Sequence, residues 1–241
     1  MSTAYPSPQF RTPFSRTMDK YLHLGPCPNS GQFSCDLPIV EVNAEASVRN
    51  ALHKFVVESK KQQPTAISEF WVPQTHERAD LALIGRELNG FEIKTERDTL
   101  RRLPRQSLAY ARVFDRCTVV VAPRHTAAAM DLLPEWWGVF EASVNGHVEF
   151  NKLRAARQNL TPDPETLVRL LWRSEVKSAL NKIGIETDPK DTRGSMWRLL
   201  LNHAELRVLR SIVRGALRRR GASDSLDSPR RTHFETRDNS N

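Results

Sequence analysis

A chain of 241 residues that is 27% charged and 39% hydrophobic can bury one sizeable core, with residues left over for a small second unit or long tails. No apolar run approaches the length of a membrane span and the N-terminus carries no apolar signal core, so a cytoplasmic protein without membrane contacts is expected. A net charge of +8 and a pI near 9.7 favour a polyanionic partner.

The charge is unevenly spread. After residue 150 there are nineteen Lys/Arg against eleven Asp/Glu, leaving seventeen of each before it. The three cysteines, Cys27, Cys35 and Cys117, have no CxxC spacing. They read as reduced thiols and leave no means of building a four-cysteine zinc or iron–sulfur site within one chain.

Residues 1–37 are rich in Pro, Ser, Thr and Asn without a sustained period and read as a flexible N-terminal arm. From Ala44 to Ser59, Val48, Ala51, Leu52, Phe55 and Val56 recur at helical spacing behind a potential N-cap at Asn43. Glu45 falls in the first turn of that helix, where favouring the helix dipole is the role assigned to it ahead of metal binding. Ala66–Val72 reads as a strand with Ile67, Glu69 and Trp71 on one side and Ser68, Phe70 and Val72 on the other. Asp80–Ile84 and Phe91–Thr95 follow as a hairpin, with turn chemistry assigned to Gly85–Gly90.

Leu103–Phe114, with Pro104 in its first turn, predicts an amphipathic helix whose core stripe is Leu108, Ala111 and Phe114. Cys117–Ala122 reads as a buried strand, making strand, helix, strand a βαβ unit with a parallel pair. Thr126–Leu133 is a short helix. Trp137–Val144 and His147–Phe150 flank Asn145-Gly146, a primed-turn hairpin signal; Trp136 and Trp137 read as packing at the strand start ahead of stacking on a base. Beyond Phe150 the spacing predicts two basic helices, Glu165–Ile183 and Ser195–Arg220, the second closed by Gly221, and then a disordered tail over 222–241.

The stretch from Arg78 to Tyr110 carries the chemistry. On a strand, Glu92 and Lys94 share one face while Phe91, Ile93 and Thr95 share the other. If even positions pair with even positions across the hairpin, Asp80 lies within one or two pairs of Glu92. Two carboxylates converging there require a cation between them, and oxygen ligands without nearby Cys or His favour Mg²⁺ or Mn²⁺. Such a site suits phosphodiester hydrolysis: the ion acidifies water and stabilises phosphorane charge, and Lys94 orients the water or neutralises developing charge. The Ile93 carbonyl is a further candidate ligand. Glu69 is equally readable as an accessory ligand or as a structural carboxylate. Gln106 and Tyr110, at i and i+4, share one helical face.

Asp80 followed by Glu92-Ile93-Lys94 resembles the PD-(D/E)XK nuclease superfamily, and Gln106 with Tyr110 resembles the Q-x-x-x-Y element of its RecB-like branch. The wording from Glu69 to Arg220 is also similar to a bacterial and phage family of uncharacterised predicted nucleases, and more loosely to MmcB-type DNA repair proteins. One departure is Ala79, which stands where the superfamily has Pro. The resemblance implies an α/β fold of the restriction-endonuclease-like class, a central mixed sheet flanked by helices with the metal site on adjoining strands. It implies catalytic roles for Asp80, Glu92 and Lys94, metal ligation by Asp80 and Glu92, and substrate positioning by Gln106 and Tyr110. The expected activity is Mg²⁺- or Mn²⁺-dependent hydrolysis of DNA, with RNA left open, in a repair, phage or defence setting. The alternative is a catalytically silent nucleic-acid-binding or assembly module on the same fold.

Arg101 and Arg102, with Arg78, Arg97 and Arg105, surround this stretch and are candidate phosphate contacts. The expected organisation is an arm (1–37), a nuclease-like domain (38–150), a basic helical extension (151–221) and a tail (222–241). Within the extension, Val176–Leu200 with Gly184 in its turn reads as a helical cap or a face for a homodimer or another protein partner, ahead of a helix–turn–helix. Arg207, Arg210, Arg214 and Arg218 form one stripe, readable as a solvated face or as a phosphate track.

Overall fold

The structure, a computed structural model, describes residues 44–58, 64–145 and 147–224. The arm at 1–37, the cap at Asn43, Cys27, Cys35, Gly146 and the tail from 225 onward lie outside the described residues.

Six strands form one sheet in chain order: β1 (Thr65–Trp71), β2 (Arg78–Ile84), β3 (Leu88–Lys94), β4 (Arg116–Val121), β5 (Gly138–Asn145) and β6 (His147–Arg154). The β1–β2, β2–β3 and β5–β6 pairs are antiparallel, while β3–β4 and β4–β5 are parallel. The fold is therefore α/β with a mixed, open sheet flanked by helices. Its parallel centre is built by the expected βαβ unit, in which α2 (Leu103–Ala111) carries the chain from β3 to β4.

Both faces of the sheet are covered, so its central strands are apolar on both sides. On one face, Leu81, Leu83, Phe91, Ile93, Val120 and Ala142 pack under Val48, Leu52 and Val56 of α1 (Ala44–Glu58). On the other, Ala82, Ile84, Leu88, Cys117, Val119, Val121 and Val139 meet Leu103, Ala109 and Tyr110 of α2 and Ala129 of α3 (Thr126–Leu132). The C-terminal helices join this second core through Leu167, Val176, Leu200, Leu209, Val213 and Leu217. The segment read from sequence as an extension after residue 150 thus shares the core of the sheet, and β6 itself runs across that boundary to Arg154.

Several expectations change. The stripe of α2 is rotated: Leu108 is 73% exposed, while Leu103, Gln106, Ser107, Ala109 and Tyr110 are buried. Hydrophobic periodicity favours Leu108, but the Gln106/Tyr110 face is turned inward by hydrogen bonds to a buried carboxylate described below. The helix also stops at Ala111, leaving Phe114 in the connection to β4.

Glycine 90 lies inside β3 and not in a turn. A Cβ there would sit 2.8 Å from the Phe114 ring, so the strand and the aromatic approach each other over a missing side chain. Gly90→Ala is expected to cost about 1–3 kcal/mol through overpacking, measurable by urea denaturation.

Each long C-terminal helix is in fact two. Glu165–Ile183 divides into α4 (Pro164–Arg169) and α5 (Arg173–Lys182). Asp163 caps α4 by accepting the Glu165 N–H, and Glu175 accepts the Trp172 N–H at 2.8 Å to start α5. The second divides into α6 (Arg193–His203), capped by Thr192, and α7 (Leu206–Asp224), with Ala204 extended between them. The breaks let Leu167, Leu200 and Leu217 meet on one face of the sheet, which straight helices would carry apart. Gly221 does not end α7; a Cβ there would collide with Thr65 Cγ2, so the glycine lets the helix lie on the start of β1.

Candidate active site

Three acids fall in one row across three strands. The pairs Ser68↔Leu81 and Phe70↔Ala79 set Glu69 opposite Asp80, and Leu81↔Phe91 sets Asp80 level with Glu92 at the next position. The even-with-even register expected from the sequence is therefore the observed one.

The row does not keep all three side chains on one face. Glu69 has a φ of +52°, a left-handed conformation that costs a non-glycine residue and persists only where its surroundings impose it. Alternation slips there: Ile67, Phe70 and Val72 all pack on the α2 side, against the expectation that Ile67 and Phe70 face apart. It slips at Asp80 as well, since Ala79 and Ala82 share the α2-side core while Leu81 packs under α1. At the slip, Asp80 Oδ2 accepts the Ile93 backbone N–H at 2.6 Å, a side chain standing in for a ladder partner.

The consequence is a division of labour between the acids. Ligand oxygens of Glu45, Glu69 and Asp80 lie within 4.8 Å of one another, with Glu45 contributed by the first turn of α1. Glu92 faces α2 instead. Its Oε1 accepts Lys94 Nζ and Gln106 Nε2, each at 2.6 Å, and its Oε2 lies 2.5 Å from the Tyr110 hydroxyl. Glu92 and Gln106 are 2% exposed and Lys94 8%. The Tyr110 hydroxyl also has the Arg78 carbonyl oxygen at 2.5 Å, two acceptors for one proton. Trp137, fully buried, stacks on the Tyr110 ring. Burial, then the Glu92 charge, push the Tyr110 hydroxyl far above its ordinary range, so it remains a donor.

Burial is also the main reason that the Asp80 carboxyl is pushed up to about 7, with Glu92 adding repulsion. The Ile93 N–H, Lys94 and Arg49 oppose the shift. Arg49 pairs with Glu45 and lies 3.0 Å from Glu69, and Arg78 Nε lies 3.6 Å from Glu69. A carboxyl that burial and the Glu92 charge raise this far, with ligand oxygens of Glu45 and Glu69 beside it, fits an oxygen-ligated divalent cation, whose charge would relieve both effects.

Of the other residues singled out by sequence, Arg102 and Arg105 are committed to Glu77, at 3.0 and 2.5 Å. Glu77 itself is 1% exposed. Arg101 is exposed at the approach to α2. Ile93 is tied to the site through its N–H. Glu45, read from the sequence as favouring the helix dipole ahead of metal binding, joins the cluster, and Arg49 is a residue that the sequence reading did not single out; nothing in their i, i+4 spacing shows that they overhang β1 and β2. The arginine stripe of α7 is not a free face, because Arg210 and Arg214 pair with the buried Asp115 at 3.1 and 3.4 Å.

The family model described as Bacteriophage P4 protein cII matches residues 39–238. Protein cII of Enterobacteria phage P4 is 28% identical over 197 residues, which cover 81% of this chain and 74% of that protein. No solved structure matches the chain. Among the described residues, no helix is long and apolar enough to cross a membrane.

Proposed function

The chain belongs to the bacteriophage P4 cII family, and we propose that it is a divalent-metal-dependent nuclease that hydrolyses phosphodiester bonds in DNA. The observation that carries this reading is the convergence of Glu45, Glu69 and Asp80, with the buried Glu92–Lys94 pair near enough for both charges to act on Asp80. A mixed sheet with helices on both faces and acids on adjoining strands β1, β2 and β3 supports assigning the fold to the restriction-endonuclease-like class. Of the repair, phage and defence settings expected from the sequence, a relative from a phage favours the second.

Glu45, Glu69 and Asp80 would hold Mg²⁺ or Mn²⁺, which when bound polarises the scissile phosphate and acidifies the attacking water. The slip at Glu69 and Asp80 aims their carboxylates toward α1 and away from the α2 side. Lys94 supplies a fixed positive charge for the phosphate oxygens, its ammonium held at 2.6 Å by Glu92. Gln106 and Tyr110, both buried and bonded to Glu92, act as positioning residues for that carboxylate and through it for Lys94. Arg101, exposed at the start of α2, is the member of the basic cluster best placed to meet a phosphate backbone.

The test is cleavage of circular, linear and single-stranded DNA with Mn²⁺. Lys94→Ala is expected to slow cleavage by about 100-fold or more, with its melting temperature monitored alongside. Full activity of both Lys94→Ala and Asp80→Asn would falsify the assignment. Tight DNA binding by the wild type without any cut, in Mg²⁺ or Mn²⁺, would instead favour the silent binding or assembly module.

A further inference from the structure

Resting on the metal reading above, we propose that Arg49 is the resident counter-ion of the Glu45–Glu69–Asp80 cluster, and that a divalent cation enters by displacing its guanidinium.

Helix α1 places Arg49 one turn beyond Glu45 on the same face. From there the guanidinium bridges helix and sheet: Nη2 bonds Glu45 Oε1 and lies 3.0 Å from Glu69 Oε1. A cation thus already sits on two of the three carboxylates that converge. Its charge also draws the Asp80 carboxyl down against burial. Without such a charge, three partly buried acids with Glu92 nearby would repel one another and push the first turn of α1 off the sheet.

The same contacts conflict with an inner-sphere metal. Mg²⁺ draws ligand oxygens to about 2.0–2.1 Å in a near-octahedral array, and the guanidinium already engages Oε1 of Glu45 and of Glu69, so the ion competes with it for these carboxylates. A dication and a guanidinium sharing these two glutamates would also repel at close range. Arg49 can give way without disturbing the fold. Its side chain is 25% exposed, and α1 is anchored by Val48, Leu52 and Val56 on its buried side. The fully buried Nε has no hydrogen-bond partner, and the guanidinium reaches both glutamates through Nη2. Metal occupancy and the paired position of Arg49 exclude each other. The arginine keeps the empty site folded and raises the metal concentration at which it fills.

The experiment is thermal melting of the full chain, without DNA, over a Mn²⁺ titration at pH 8. Arg49→Met is expected to melt lower without metal and to reach its half-maximal Mn²⁺-induced rise at about tenfold lower Mn²⁺ than wild type, a shift worth about 1.4 kcal/mol. A role confined to stability would lower the metal-free melting temperature and leave the Mn²⁺ midpoint where it was; an unchanged or weakened midpoint overturns the proposal. Arg49→Lys keeps the charge without the planar fork and covers the case in which Arg49→Met does not fold. Its midpoint is expected between the two, and coincidence with wild type would count against displacement. If Mn²⁺ moves the melting of neither wild type nor variants, the metal site itself fails and this inference with it. Equal shifts in all of them remove only the role given to Arg49.

Discussion

Asp80→Asn is expected to lower metal-dependent DNA cleavage by about 10³-fold or more and, at the same time, to make the metal-free protein more stable at pH 8. The two effects share one cause. In the folded chain the Asp80 carboxyl is pushed from 3.8 up to about 7, chiefly by burial and then by Glu92. Below pH 4 the group is neutral whether the chain is folded or not. Between pH 4 and 7 the unfolded chain releases this proton while the folded chain keeps it, so stability falls as pH rises, and the loss levels off above 7. Over a shift of roughly three units the loss amounts to about 4 kcal/mol at most. Asparagine is neutral throughout, and its amide oxygen can still accept the Ile93 N–H that Asp80 Oδ2 accepts at 2.6 Å.

Urea denaturation of the metal-free proteins from pH 5 to 8 checks this. The wild type should lose stability across that interval, and Asp80→Asn should lose less and end about 2–4 kcal/mol above it. Added Mn²⁺ should reverse the wild-type deficit by binding the ionised form and should leave the variant unmoved. Parallel pH profiles for the two proteins would show that burial at Asp80 carries no such penalty. A variant that still cuts would remove Asp80 from the ligand set.

How much of this was legible in the sequence depends on which residues carried the signal. The alternation of Phe91, Glu92, Ile93 and Lys94, and the register that sets Asp80 level with Glu92, follow from the period of a strand and appear as expected. What alternation cannot show is a place where it stops. The left-handed Glu69 sends one set of carboxylates toward α1 and leaves Glu92 to α2, and no glycine or proline marks the slip. The same blindness explains Leu108. A periodicity count places leucine inside, whereas the helix is oriented by Gln106 and Tyr110 reaching a charge on β3, a preference that exists only once the two elements meet. The breaks at Leu170–Trp172 and Ala204–Glu205 contain no helix breaker. They arise because α4, α6 and α7 have one core to share, so tertiary packing overrides local propensity.

The arginine stripe of α7 leads to the second large expectation, that Asp115→Ala destabilises the protein by about 3–5 kcal/mol. Asp115 stands between β3, β4 and α7. Its Oδ2 accepts the Leu88 N–H at 2.7 Å, and its own backbone N–H donates to the Leu88 carbonyl at 2.8 Å. The same carboxylate faces Arg210 Nε at 3.1 Å and Arg214 Nη1 at 3.4 Å. Their side chains are 16% and 19% exposed and that of Asp115 4%, so the trio is largely withdrawn from water. Alanine would leave two guanidinium groups without their counter-charge where solvent screens them poorly, along with an unpaired Leu88 N–H. Asp115→Asn, which retains an acceptor for Leu88 but no charge, should fall between alanine and wild type. Pairing Asp115→Ala with Arg210→Met should recover part of the loss, because one of the stranded charges goes with it. The comparison also assigns the stripe. If Arg210 and Arg214 tracked phosphates, replacing them would weaken DNA binding and flatten its salt dependence with little change in stability; held by Asp115, they should lower the urea midpoint and leave the salt slope of binding nearly unaltered.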